Sequence, residues 1–239
     1  MTMKSQLYRL LLVTLFISQI LPLKVFGQEN TDLEGWSAVE LDIKATEKLS
    51  FSISEHLRLR NDITTTKNYF TQIKVNYEVF KNFDIGGGVR YITRNDDVGN
   101  KQGLESFFRY QFDARFKYKI EKVSVLLRLR YQNKNQLGFS ENEGDVHKEQ
   151  LRFRIGLGYK IKPIKLNLRL FGELFNETKS VNSDGGFNRH RYTFRISRKF
   201  KNVGTFTLFF AKQDDTFEDI TSDKSILGFK YSYAIDFTK

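Results

Sequence analysis

The sequence predicts an all-β fold: an antiparallel transmembrane β-barrel of about ten strands, with twelve as the alternative count, short periplasmic turns and longer extracellular loops. Three observations predict it. From Trp36 to the end, apolar and polar residues alternate with a period of two, the mark of a strand with one greasy and one polar face. The alternating runs last ~10–13 residues, long enough when tilted to cross an apolar band of ~25 Å, whereas soluble strands cluster near ~5–6. Connections alternate between short and long, as they do in barrels of the outer membrane.

Before the first run, residues 1–27 read as a secretory signal. Lys4 and Arg9 precede an apolar run from Leu10 to Leu23, and Val25-Phe26-Gly27 supplies a cleavage site. That apolar run has about 14 residues against the ~20 of a spanning helix. Residues 28–239 then form a single barrel domain. Cleavage removes Lys4, Arg9 and Lys24 and no acid, lowering the formal charge from +11 to +8.

The candidate strands follow in order. Segment 36–45 is ambiguous: it begins at Trp36, and it is either a wall strand or a piece within or below the barrel. The run 49–60 ends on Leu57-Arg-Leu-Arg60, and 69–79 carries Tyr69 and Tyr77. Run 83–94 holds Gly86-Gly-Gly88, which lacks the following Lys-Ser/Thr of a phosphate loop and reads as a bend or close approach. Run 106–118 places Arg109, Asp113 and Arg115 on one face. In 122–133 the pattern is plainest, with Val123, Val125, Leu127, Leu129 and Tyr131 on one side and Ser124, Arg128 and Arg130, with Leu126, on the other. Run 148–161 repeats the theme as Leu151-Arg-Phe-Arg154. Runs 164–177, 187–200 and 204–213 follow. The last, 225–237, has one unbroken apolar face of Leu227, Phe229, Tyr231, Tyr233, Ile235 and Phe237. It resembles the C-terminal signal read by the barrel assembly machinery, except that Thr238 and Lys239 follow the final aromatic.

Eleven candidates do not close an all-antiparallel barrel with both ends on one rim. Starting at Leu49 gives ten; a strand before Trp36 gives twelve, although residues 28–35 make a poor one. Short connections fall near 45–48, 80–82, 120–121, 162–163 and 201–203, and longer ones over 61–68, 95–105, 134–147, 178–186 and 214–224. Tyr77, Phe83, Tyr118, Tyr159 and Phe200 lie beside the short turns, and Tyr69, Tyr91, Tyr110 and Tyr131 toward the long loops, as aromatic girdles require. The competing fold is a soluble exported barrel, lipocalin-like, with the apolar face turned inward.

If the apolar face meets lipid, parity puts Arg58, Arg90, Arg109, Arg115, Arg128, Arg130, Arg152, Arg154, Arg169, Arg191 and Arg195 in the lumen, with Arg60, Lys74, Arg94, Lys117 and Arg189. The acids on that face are fewer: Glu40, Asp42, Glu78, Asp84, Asp113 and Glu173. A turn centred at 120–121 sets Asp113 opposite Arg128. One at 162–163 sets Arg152 opposite Glu173, with Arg191 on the other side of that carboxylate. Rings of arginine favour anions, so the expectation is a narrow channel for small anionic solutes. The alternative is a closed structural or binding barrel acting through its loops.

Other chemistry is weakly marked. Without cysteine there is no disulfide, thiolate metal site or lipidated anchor. His56, His147 and His190 have no metal-ligand spacing. His190, with Ser180, Ser183 and Asp184 in the loop before it, is the one constellation that fits a lipid- or peptide-modifying enzyme. Asn176-Glu-Thr178 matches a glycosylation sequon by composition alone. The pI of 9.6 would suit nucleic acid, but the cations lie on one strand face of an exported chain. The expected partners are therefore membrane lipids, the assembly machinery and small anions, with no nucleic acid and no cofactor.

At Trp36, the arginine-rich strands, Glu173-Leu-Phe-Asn176 and Phe187-Asn-Arg-His-Arg191, the chain resembles the domain-of-unknown-function family numbered 2490. That resemblance implies a small outer-membrane barrel of Gram-negative bacteria and lends no catalytic residues.

Overall fold

A computed structural model describes residues 31–96, 103–138, 148–178, 185–217 and 220–238. The signal expected over 1–27 lies outside them. Every regular element described is a strand: β1 Asp32–Lys44, β2 Leu49–Arg60, β3 Thr65–Phe80, β4 Phe83–Asp96, β5 Gly103–Ile120, β6 Val123–Gln136, β7 Lys148–Ile161, β8 Leu166–Glu177, β9 Gly186–Phe200, β10 Gly204–Phe217 and β11 Ile220–Asp236. Each pairs with its sequence neighbours, and β1 meets β11 to close the barrel.

The strand number is eleven, between the two even counts the sequence suggested. Segment 36–45 is a wall strand, extended back to Asp32. Closure at an odd number works because β1 and β11 run parallel, from Asp32↔Lys224 to Lys44↔Asp236. All other pairings are antiparallel. β1 therefore starts at one rim and β11 ends at the other.

At the rim where β11 ends, the connections are 45–48, 81–82, 121–122, 162–165 and 201–203. Asn82 and Asn202 turn the chain with φ of 78° and 61°, a conformation asparagine tolerates better than most residues. At the opposite rim they are 61–64, 97–102, 137–147, 178–185 and 218–219. The length asymmetry thus rests on three middle connections. The strands reach further than alternation indicated and leave 61–64 and 218–219 short.

The apolar parity faces outward, the reverse of a lipocalin-like barrel. Val39, Ile73, Phe112, Ile155, Leu170 and Leu208 are exposed on the outer wall. Tyr77, Tyr118, Tyr159 and Phe200 are exposed toward the short-turn rim, and Tyr69 and Tyr91 toward the other. The inward parity is polar and buried: Glu34, Glu40, Gln72, Arg90, Arg109, Gln111, Asp113, Arg130, Arg152, Glu173 and Asp215 each show less than a tenth of their surface.

Phe209 and Trp36 pack at the seam with ring centroids 6.4 Å apart. Gly228 pairs with both residues in register. A Cβ there would lie 2.0 Å from the Phe209 ring, so any larger residue at Gly228 must displace that ring.

Candidate functional site

The charged side chains meet around a central cavity of about 350 Å³. Of the arginines placed inward by parity, Arg58, Arg90, Arg109, Arg128, Arg130, Arg152, Arg154, Arg191 and Arg195 line it, together with Arg189, Lys74 and Lys230. Two lie off it toward the short-turn rim. Arg115 donates to Asn76 Oδ1 at 2.6 Å and stands 4.0 Å from Asp84. Arg169 lines a separate vestibule.

Some of these cations are neutralised. Glu173 accepts from Arg152 Nη2 at 2.9 Å, from Arg154 Nη2 at 2.8 Å and from Arg128. Asp113 takes a forked pair from Arg130, Nε at 2.6 Å and Nη2 at 2.8 Å. Glu40 holds Lys74 at 2.9 Å and also Lys230. Asp215 holds Lys224 at 2.6 Å and also Arg189.

The register differs from the turn-centred expectation. Asp113 pairs with Arg130 rather than Arg128, and Glu173 with Arg154 rather than Arg152. The turns centre on 121–122 and 162–165, sliding each partner by two residues. Arg152 still reaches Glu173 diagonally. Arg191 stands opposite Glu173, but its Nε and Nη2 donate to Gln213 Oε1, the first at 2.9 Å.

Five of the arginines lining the cavity have no carboxylate within ion-pair distance among the described residues: Arg58, Arg90, Arg109, Arg191 and Arg195. Three are held by neutral acceptors instead. Arg90 donates to Gln72 Oε1, with Nε at 3.0 Å, Arg109 Nη2 to Gln111 Oε1 at 2.9 Å, and Arg191 to Gln213. Aromatic rings lie against four of the five, Arg58, Arg90, Arg191 and Arg195. Arg58 lies 3.8 Å from the Trp36 centroid and Arg90 3.8 Å from that of Phe70. Arg191 is within 5.1 Å of Phe175 and Arg195 within 5.8 Å of Phe209. The aromatic residues and the glutamines escaped the sequence reading. Their signal was there, since Phe70, Phe175 and Phe209 share the parity of the arginines.

The two ends of the interior differ. Toward the short-turn rim a vestibule of about 560 Å³ shares Arg195 and Lys230 with the cavity. Its wall carries Lys117, Lys119, Lys122, Lys160, Lys165 and Lys199, against Asp42 as its one acid. Toward the other rim, Glu34, Asp215 and Ile226 are 0–1% exposed. Lys67 donates to Glu34 at 2.5 Å, and the Lys224 and Arg189 pairs of Asp215 complete that packed layer.

His56 and His190 stand apart from each other, one inside the barrel and one outside. His56 faces inward, 3.0 Å from Ser54 Oγ and stacked on Phe70. His190 faces outward, its Nε2 2.5 Å from Asp214 Oδ2 and its ring against Tyr192; among the described residues no serine is its partner. His147, Ser180, Ser183 and Asp184 lie outside the described residues. Among the described residues, no group of three or more His, Asp or Glu is arranged to hold a metal.

The model of a family described as a protein of unknown function, DUF2490, matches residues 33–219, well over half of the chain. The chain belongs to that family. A search of curated proteins finds no match.

Proposed function

We propose that this protein is an outer-membrane β-barrel whose arginine-lined interior favours small anionic solutes. One observation carries the reading: five inward arginines without a carboxylate partner, Arg90 and Arg109 buried and Arg58, Arg191 and Arg195 half-buried, surround a central cavity. Buried like charges repel strongly, and their uncompensated burial costs several kcal/mol per ion, ~3–5 kcal/mol when a partner is removed. A mobile anion offsets that cost.

The membrane reading rests on the outward face. An exposed apolar wall belted by tyrosines far exceeds the few hundred Å² that soluble monomers leave uncovered, and it matches the lipid-facing band of an outer-membrane barrel. The leader over 1–27 supplies export.

A closed barrel is the second reading, favoured by the Glu34–Lys67 and Asp215–Arg189–Lys224 layer. Passage along the full length requires that layer to part. The test is a planar bilayer holding the refolded chain. Current steps with a reversal potential on the anion side, moved toward cations by Arg90→Gln with Arg191→Gln, support the anion pathway. A folded barrel that never conducts supports the closed form, and cation selectivity sinks the reading of the interior. Retention in the soluble fraction without detergent would sink the membrane placement.

A further inference from the structure

We infer that the central cavity is a built binding site for a compact oxyanion carrying two or more carboxylate or phosphate groups, entered from the short-turn rim. This rests on the anion-favouring interior proposed above and goes beyond it, from a selective lining to a saturable site.

The first argument is the choice of glutamine. Gln72, Gln111 and Gln213 present one oxygen each to Arg90, Arg109 and Arg191. Glutamate would make the same contacts, about twice as strongly, because it is charged. The carboxamides orient the guanidinium groups without cancelling their charge. The available carboxylates are already engaged: Glu173 by three arginines, Asp113 by two bonds from Arg130, and Glu40 and Asp215 by two cations each.

The second argument is preorganisation. With its face stacked on a ring, a guanidinium keeps its hydrogen-bonding capacity at its edge, in the fork that fits a carboxylate or phosphate. Each has five N–H donors, and Arg90 and Arg191 spend two each on glutamine. Arg109 uses Nη2, and its buried Nε has no partner.

Size and access complete the argument. At ~30 Å³ per water, 350 Å³ is the volume of roughly a dozen waters. That fits a pyrophosphate or a tricarboxylate but not an oligosaccharide. A single charge would leave most of the five arginines uncompensated, so the ligand is multivalent. The lysine vestibule shares Arg195 and Lys230 with the cavity, and the far side is packed.

Trp36 is the only tryptophan and lines the cavity beneath Arg58, so its emission reports the site. The mature chain, refolded in non-ionic detergent and checked for heat-modifiable mobility, is titrated at constant ionic strength with pyrophosphate, citrate and acetate. A saturable change with pyrophosphate or citrate, half-complete at a concentration at least about tenfold below acetate, is the expected result. Whichever saturates first names the source as phosphate or carboxylate. Arg90→Gln weakens it about tenfold or more, and so does Gln72→Glu, which neutralises Arg90 while keeping the packing. Arg115→Gln, off the cavity, leaves it unchanged. A linear response equal for all three anions overturns the inference, as does a folded Gln72→Glu protein that binds like the wild type. Saturation in a barrel that does not conduct supports the site and removes the channel. Anion-selective conduction without saturation removes the site and leaves the channel.

Discussion

Replacing Glu173 by glutamine tests whether the interior is held together by charge. The carboxylate is 3% exposed and faces Arg128, Arg152 and Arg154. Glutamine keeps the volume and one acceptor oxygen, so the change isolates charge. Each pair at ~4 Å represents a gross ~4 kcal/mol at an effective dielectric constant of ~20. Three such terms overstate the loss, because the freed guanidinium groups gain hydration from the adjoining cavity. The measured range for breaking a buried pair, about 3–5 kcal/mol, is the better expectation. For a chain of this size, ~2–4 °C per kcal/mol puts the midpoint for loss of the compact gel form roughly 6–20 °C lower. Asp84→Asn is the internal comparison, because Asp84 and Arg115 stand 4.0 Å apart with 40% and 32% of their side chains exposed. Such a pair contributes ~0–1 kcal/mol. Equal small shifts in both variants would refute the claim that Glu173 anchors the arginine cluster.

Three other outcomes follow from the same geometry. Leu129→Arg, at the middle of β6 on the outer wall, should cost about 2–4 kcal/mol of folding free energy in lipid vesicles, while Phe80→Arg at the short-turn rim should cost ~0–1. Equal costs would argue against a membrane placement along this axis. Gly228→Val puts a Cβ against the Phe209 ring and should destabilise by ~1–3 kcal/mol through overpacking, with a shift in Trp36 emission that an outer-wall variant does not give. Asp215→Asn releases Arg189 and Lys224 and should raise single-channel conductance in a planar bilayer; an unchanged current would mean that this layer is not what closes the interior.

Parity was the most legible property of the sequence, and the reason is geometric. A slip of two residues in a turn leaves every side chain on its original face. The inward set survived two misplaced turns, while the partners named from those turns did not: Asp113 met Arg130, and Glu173 met Arg154. Strand number was less legible because nothing in a period-two pattern records the direction in which the first strand meets the last. The even count assumed an antiparallel closure, and the parallel β1–β11 seam removes that assumption. The roles of the glutamines and aromatics of the cavity were hidden for a different reason. Gln72 and Phe70 count as polar and apolar in any binary pattern, yet both face inward, one to orient an arginine and the other to cover its face. Only the register brings them together.

The seam also bears on how the interior is made. Its partners lie about 190 positions apart, so closure waits on the least local pairing in the chain, and such pairings form late. Until then the arginines face a sheet open to water, where their charge costs little. Closure buries them together. A barrel selected for stability alone would match each with an acid, or use apolar residues, which is often neutral or favourable by ~1–4 kcal/mol. Instead the cations divide by depth. Arginine, weakly hydrated and able to stack, occupies the buried cavity, while lysine, strongly hydrated, lines the open vestibule at Lys117, Lys119, Lys122, Lys160, Lys165 and Lys199. That gradient does nothing for rigidity. On the function proposed above, it draws an anion in through a hydrated rim and presents it with progressively drier, better-oriented donors.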